Sequence, residues 1–168
     1  MKAIIYTRYG SPDVLQFRDV PAPTPGDDEV LVKVHAASVN PLDFHHMRGD
    51  VRLITGLRGP KHNVLGCDIA GRVEAVGAQV MQFRPGDDVF GVRGLAGGGF
   101  AEYACAKENK LARKPSNIAF EDAAAVPIAA VTALQGLRDK GRIRAGERVR
   151  GTDRQIIRRR GNRRLQHE

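Results

Sequence analysis

A mainly β, α+β plan, with many short strands closing on themselves and one or two helices after them, follows from three features of the chain. Alternating apolar segments a few residues long recur from residue 3 to 114 and are separated by Gly, Pro and Asp turns. From Ser116-Asn117 the character changes to an alanine- and leucine-rich run without strand alternation. The charge is uneven: residues 138–168 hold 12 basic and 4 acidic groups and so the entire net charge of +8, while the preceding 137 residues are balanced. The reading is one domain over 1–149 and a basic, disordered tail over 150–168.

Taken in order, AIIYT (3–7) reads as a strand, Gly10-Ser11-Pro12-Asp13 as a turn, and VLQFRDV (14–20) as the return strand. PAPTPGDD (21–28) cannot supply sheet donors and reads as a connector. The stretch EVLVKVHAASVNPLDFHHMRG (29–49) begins as a strand with Val30, Val32 and Val34 on one face and Leu31, Lys33 and His35 on the other. Asn40 suits a helix cap, Pro41 the first helical position and Gly49 the stop. A strand therefore delivers Asn40, Asp43, His45 and His46 onto one short helix beside a core. Two readings of that helix stand side by side, a pocket wall and a capped helix with surface histidines.

Residues 50–63 show no clean period and read as an irregular loop. VLGCDIAGRVEAVGAQV (64–80) reads as short valine-rich strands, with Gly66, Gly71 and Gly77 at bends rather than in a phosphate loop. MQFRPGDDVFGV (81–92) outlines a hairpin turning at Arg84-Pro85-Gly86-Asp87, and Ala96–Gly99 a turn into FAEYACA (100–106). A short strand over 111–114 ends at Pro115. Pro127 should split residues 120–140 into two helices, the second starting at 127, and AGERV (145–149) opens a new strand.

Composition excludes several classes. Apolar and charged fractions of 42% and 27% are globular values. No apolar run approaches the roughly 20 residues of a spanning helix, and the N-terminus is too short an apolar run for a secretory signal. Cys67 and Cys105 lack the spacing of a disulfide framework or a four-cysteine zinc site, so the expectation is a cytoplasmic protein with reduced thiols.

The motifs VLVKVHAASVNPLDFHHMRG, LGCDIAGRVEAVG, FRPGDDVFGV, GGGFAEYA and AAAVPIAAVTALQGL, in this order, are where the chain resembles the N-terminal, GroES-like catalytic domain of the medium-chain dehydrogenase/reductase superfamily, in particular its zinc-independent quinone-oxidoreductase-like branch. The resemblance runs from Met1 to about Val149. It implies a partly open β-barrel leading to a separate Rossmann domain, hydride transfer between NADPH and a small carbonyl, quinone or enone, and a homodimer in the full-length family. Where zinc-dependent relatives place a cysteine the chain has Asn40, and where they place His-Glu it has Cys67-Asp68. An amide is a poor zinc ligand, so no metal is expected, and Cys67 reads as a packed core thiol.

In the zinc-less branch a donor aimed at the substrate oxygen lowers the barrier. Asn40 offers an amide and His45 an imidazole N–H, standing where many relatives carry tyrosine. Asp43 matches the NPxD pattern and is expected to orient the pocket. By resemblance Asn40 and Thr132 meet the nicotinamide; a helical threonine bonding its own backbone is the equal alternative for Thr132.

The family's cofactor domain should begin near AGERV with a Gly-rich turn, whereas this chain reads RGTDRQIIRRRGNRRLQHE, with seven arginines and no aromatic residue. Arginine's CGN codons, read one nucleotide later, begin with G. IIRRRGNRR (156–164) can be encoded so that the shifted frame reads SSGGVGTA, similar to the family's SGGVG turn. The expectation is a chain truncated before its Rossmann domain, with an out-of-frame tail. A shifted frame that stops within a few codons of Glu168 removes it. Two other classes remain in view. One is a standalone, non-catalytic binding or structural module. The other is a nucleic-acid binder using the arginine tail, for which no specific motif is present.

Overall fold

The computed structural model describes residues 1–60, 63–94, 97–143, 149–152 and 155–158, with Ile54 and 149–158 described by backbone alone. It divides into two units, 1–129 and 130–168.

In the first unit, β1 (Lys2–Ile5) and β2 (Gln16–Asp19) form an antiparallel pair. The remaining strands build a five-stranded antiparallel sheet in the order β6-β3-β4-β5-β7, with β3 at Glu29–Ser38, β4 at Asp68–Val76, β5 at Asp88–Val92, β6 at Tyr103–Lys107 and β7 at Leu111–Arg113. Bridges from Ala3 to Ala101 and from Ile5 to Val64 tie β1 to this sheet. The edge strands β6 and β7 do not pair with each other, so the curl is partly open, as the resemblance implies.

Alternation decides which face is buried. Val30 and Val32 are wholly buried while Lys33 and His35 on the opposite face are exposed. With Ile69, Val73, Phe83, Val89, Ala104, Ala106 and Leu111 they fill the interior of the curl. Each such aliphatic side chain contributes about 1.5–3 kcal/mol by leaving water. Register shifts at Leu31/Val32 and Val34/Ala36 bend β3 across β4. Gly71 sits opposite the second of these, where a Cβ would press on the Lys33 carbonyl.

The helices occupy the outside. α1 (Pro41–Arg48) follows β3 directly, and α2 (Arg52–Thr55) is a single turn inside the stretch expected to be irregular. α3 (Phe120–Ala124) lays Ala123 and Ala124 on Ala70, beside Ala36 and Phe90. Small residues on both sides let the helix approach the sheet closely. α4 (Pro127–Gln135) begins at Pro127, which is the split expected from the sequence. A π-type turn, Gly136–Lys140, continues it in the second unit.

Several boundaries differ from the sequence reading. The return strand over 14–20 is shortened to β2 by a 3-10 turn at Pro12–Val14. The stretch 64–80 holds one nine-residue strand rather than several. The hairpin over 81–92 keeps only its second arm as a strand, because Gly86 and Asp87 join β4 through Gly86 N–H to Val73 O and Val73 N–H to Asp87 O. Of AGERV, 145–148 lie outside the described residues, and Val149 opens β8 (Val149–Thr152), which pairs with β9 (Gln155–Arg158). Among the described residues no helix is long and apolar enough to cross a membrane.

Candidate functional site

The candidate site is built where β3 ends and α1 begins. Asn40 has extended backbone, φ −117° and ψ 157°, as a cap requires, and Pro41 occupies the first helical position. Three residues on, the Asp43 carboxylate reaches back to accept the Asn40 N–H at 2.8 Å. Its other oxygen accepts the Gly66 N–H at 3.0 Å, so one side chain that is 2% exposed ties the helix to the segment entering β4. Gly49 closes α1 at φ +78°, its N–H pointing to the His45 and His46 carbonyls.

Asp68, the first residue of β4, is wholly buried. Its Oδ2 accepts three hydrogen bonds, from Ser38 Oγ at 3.1 Å, Asn40 Nδ2 at 3.2 Å and the Ile128 N–H at 3.1 Å. Asn40 Nδ2 also donates to Ser38 Oγ at 3.1 Å. The end of β3, the cap of α1, the start of β4 and the first turn of α4 thus converge on one carboxylate. Burial raises the Asp68 carboxyl above the usual range, against the opposing pull of its three donors. Its Oδ1 is buried without a hydrogen-bond partner among the described residues.

The two faces of α1 are chemically different. Asp43, His46 and Met47 are buried at the spacing of one helical stripe, and Phe44, His45 and Arg48 are exposed on the other. Burial lowers the His46 pKa below its ordinary value; Asp43 pulls the other way and His45 adds to the lowering. The outer face carries His45, whose Nδ1 lies 2.8 Å from Asp50 Oδ2, with both side chains about half exposed. Phe44 lies edge-on to the His45 ring and beneath the Arg48 guanidinium.

Of the residues expected at the site, Asn40 and Asp43 are brought together in the buried hub. His45 lies on the opposite face of the same helix. Thr132 is an exposed residue of α4 in the second unit. Cys67 is wholly buried, and burial with Asp43 beside it pushes its thiol up to about 12. Among the described residues no three His, Cys, Asp or Glu side chains converge as metal ligands. Sequence reasoning missed Ser38 and noted Asp68 only as part of the Cys67-Asp68 pair that stands where zinc-dependent relatives carry His-Glu. The signal for Asp68 was available: a lone charge inside the apolar, glycine-rich LGCDIAG must be hydrogen-bonded to be buried.

This curled sheet, with a capped helix held by buried carboxylates, has recognisable counterparts. Residues 26–116 match the alcohol dehydrogenase GroES-like domain. The chain is 41% identical over 149 residues to 2-methylene-furan-3-one reductase of Solanum lycopersicum, covering 84% of this chain and 38% of that protein. It superposes on the quinone oxidoreductase from Coxiella burnetii with a TM-score of 0.78 at 35% identity, covering 88% of this chain and 47% of the other. On the Escherichia coli quinone oxidoreductase complexed with NADPH the values are 0.75 and 28%, covering 83% and 41%. The chain belongs to the alcohol dehydrogenase GroES-like domain family, on the quinone-oxidoreductase side of the medium-chain dehydrogenase/reductase superfamily. It spans less than half the length of these relatives.

Proposed function

We propose that this chain supplies the substrate-side half of a zinc-independent reductase that uses NADPH to reduce a small carbonyl, quinone or activated alkene. The observation that carries the reading is the hub of Asn40, Asp43 and Asp68, which spends buried carboxylates on fixing the orientation of a helix whose outer face is exposed. The names of the similar proteins add the reaction class and the nucleotide.

The residues here fit only the nicotinamide end of such a cofactor. A pyrophosphate needs free N–H groups at a helix N-terminus, and the Ile128 N–H of α4 already donates to Asp68. When bound, the reduced nicotinamide supplies a hydride. Asn40 and Thr132 are assigned to its ring end: Thr132 as a hydroxyl for the carboxamide, Asn40 as a positioning residue, since its amide N–H groups donate to Ser38 and Asp68.

His45 is assigned to the substrate oxygen. Asp50 accepts the Nδ1 proton, so Nε2 carries a proton only when the ring is the imidazolium. His45 then donates a hydrogen bond, or the proton itself, from Nε2 as charge builds on the oxygen.

The test joins residues 1–137 to the cofactor half of a quinone-oxidoreductase relative and follows NADPH oxidation with a quinone and with an enone. Turnover is expected, with His45→Phe lowering kcat on the order of 100-fold. A chimera that folds and binds NADPH but reduces neither substrate rejects the proposal. The chain by itself is expected to bind NADPH only weakly, and a sub-micromolar Kd by calorimetry contradicts the half-site assignment.

A further inference from the structure

We propose that a cavity of about 350 Å3, apart from the Asn40–Asp43–Asp68 hub, is a binding site for a small organic carboxylate held by the Arg93 guanidinium. It lies between the base of the β1–β2 pair with its proline connector, the segment entering β4, and β6. Val20, Pro21, Pro23 and Val64 wall it, with Arg93 and Tyr103 among its polar groups. None of these side chains takes part in the Asn40–Asp43–Asp68 hub. The volume is at the small end of the range ordinary for ligand pockets, roughly 300–1,000 Å3.

Arg93 is held in place but not neutralised. Its backbone N–H donates to the Cys67 carbonyl at 2.7 Å, and its Nη1 donates to the Gly97 carbonyl. Its Nε is buried without an acceptor among the described residues. Arg72, Arg84, Arg113 and Arg138 each pair with an aspartate, whereas among the described residues no carboxylate pairs with Arg93. The backbone is shaped to the guanidinium: Gly98 stands at φ +108°, and a Cβ there would lie 2.7 Å from Nε. Nε is enclosed and Nη1 is engaged, so a carboxylate in the cavity would meet the remaining exposed edge of a half-buried guanidinium, a charge-assisted contact.

The surroundings specify the rest of the ligand. No acidic side chain is among the described residues that line the cavity. The prolines bring apolar surface without N–H groups, which suits an apolar body rather than a sugar or peptide. The cations at the cavity are the Arg93 guanidinium and the ammonium of Met1, the latter already donating to the Val20 carbonyl, a set that suits a monoanion better than a phosphate dianion. The chemistry is therefore that of a compact aromatic or branched aliphatic acid.

Benzoate is the probe, with benzamide and inorganic phosphate as controls, on the full chain carrying any tag at its C-terminus, because Met1 borders the cavity. Calorimetry at fixed ionic strength should give saturable benzoate binding tighter than about 10 mM, with the Gly98 and Tyr103 amide resonances shifting during the titration. Benzamide and phosphate should each bind about tenfold or more weakly, and Arg93→Gln should weaken benzoate by at least about tenfold. Absence of saturation, equal binding of benzamide or phosphate, or an unchanged affinity in a folded Arg93→Gln protein overturns the proposal. Should Arg93→Gln fail to fold, Val20→Phe decides: it fills the cavity without touching the guanidinium, so lost binding supports the site and unchanged affinity overturns it.

Discussion

The inner and outer faces of α1 divide one eight-residue helix into a buried, hydrogen-bonded side and an exposed one. Asp43 and His46 look inward, and Asp43 makes two hydrogen bonds to backbone N–H groups in the interior. Phe44, His45 and Arg48 look outward and contact only one another and Asp50. The lesson is that polarity alone does not mark a reacting group. Of the polar side chains in NPLDFHHMR, Asn40 and Asp43 are hydrogen-bonded in the interior, while His45 is held by a surface partner, Asp50.

The largest expected effect falls on the inner face. Asp43→Ala strands the Asn40 and Gly66 N–H groups inside the protein and should cost roughly 2–5 kcal/mol, read by urea denaturation. Asn40→Ala removes two donors from the Asp68 hub and is expected to cost about 1–3 kcal/mol on the same assay. A loss below 0.5 kcal/mol for Asp43→Ala would erase the distinction between the faces.

His46 sharpens the comparison through pH. Its folded pKa lies below the unfolded value, so the unfolded chain takes up the proton first. Its stabilising contribution is full above the unfolded pKa of about 6.5 and falls as pH drops through the window beneath it. Replacing His46 with Gln should flatten that acid-side decline in thermal melts between neutral pH and about pH 5. The smallest effect belongs to the outer face. His45→Ala breaks a half-exposed pair with Asp50 and should shift stability by no more than about 0.5 kcal/mol, while removing most turnover from the joined enzyme.

Much of the fold was legible because its signals are local. The Val30-Val32 alternation, the Asn40-Pro41 helix start, the Gly49 stop and the Pro127 split all act within a few residues. Asp43 was singled out only through its match to the NPxD pattern of the resembled family, and its two bonds to backbone N–H groups emerge from the structure. Asp68 and Ser38 were not singled out in that way, since their partnership joins residues 30 apart and depends on β3 lying beside β4. The division of α1 into faces was also hidden. Its residues are polar on both sides, and only the approach of Gly66 and the apolar cluster of Tyr6, Val14 and Leu65 around Met47 decides which side goes in.

The open seam of the sheet carries a consequence for handling the protein. A free strand edge is a template on which another copy can add itself, and β7 is that kind of edge. It is only three residues long, and Lys110 and Lys114 flank it with positive charge while Arg113 pairs with Asp87. Mutual repulsion between such rims works against edge-to-edge stacking, so replacing these cations with threonine or valine should turn a well-behaved preparation into one that precipitates on concentration.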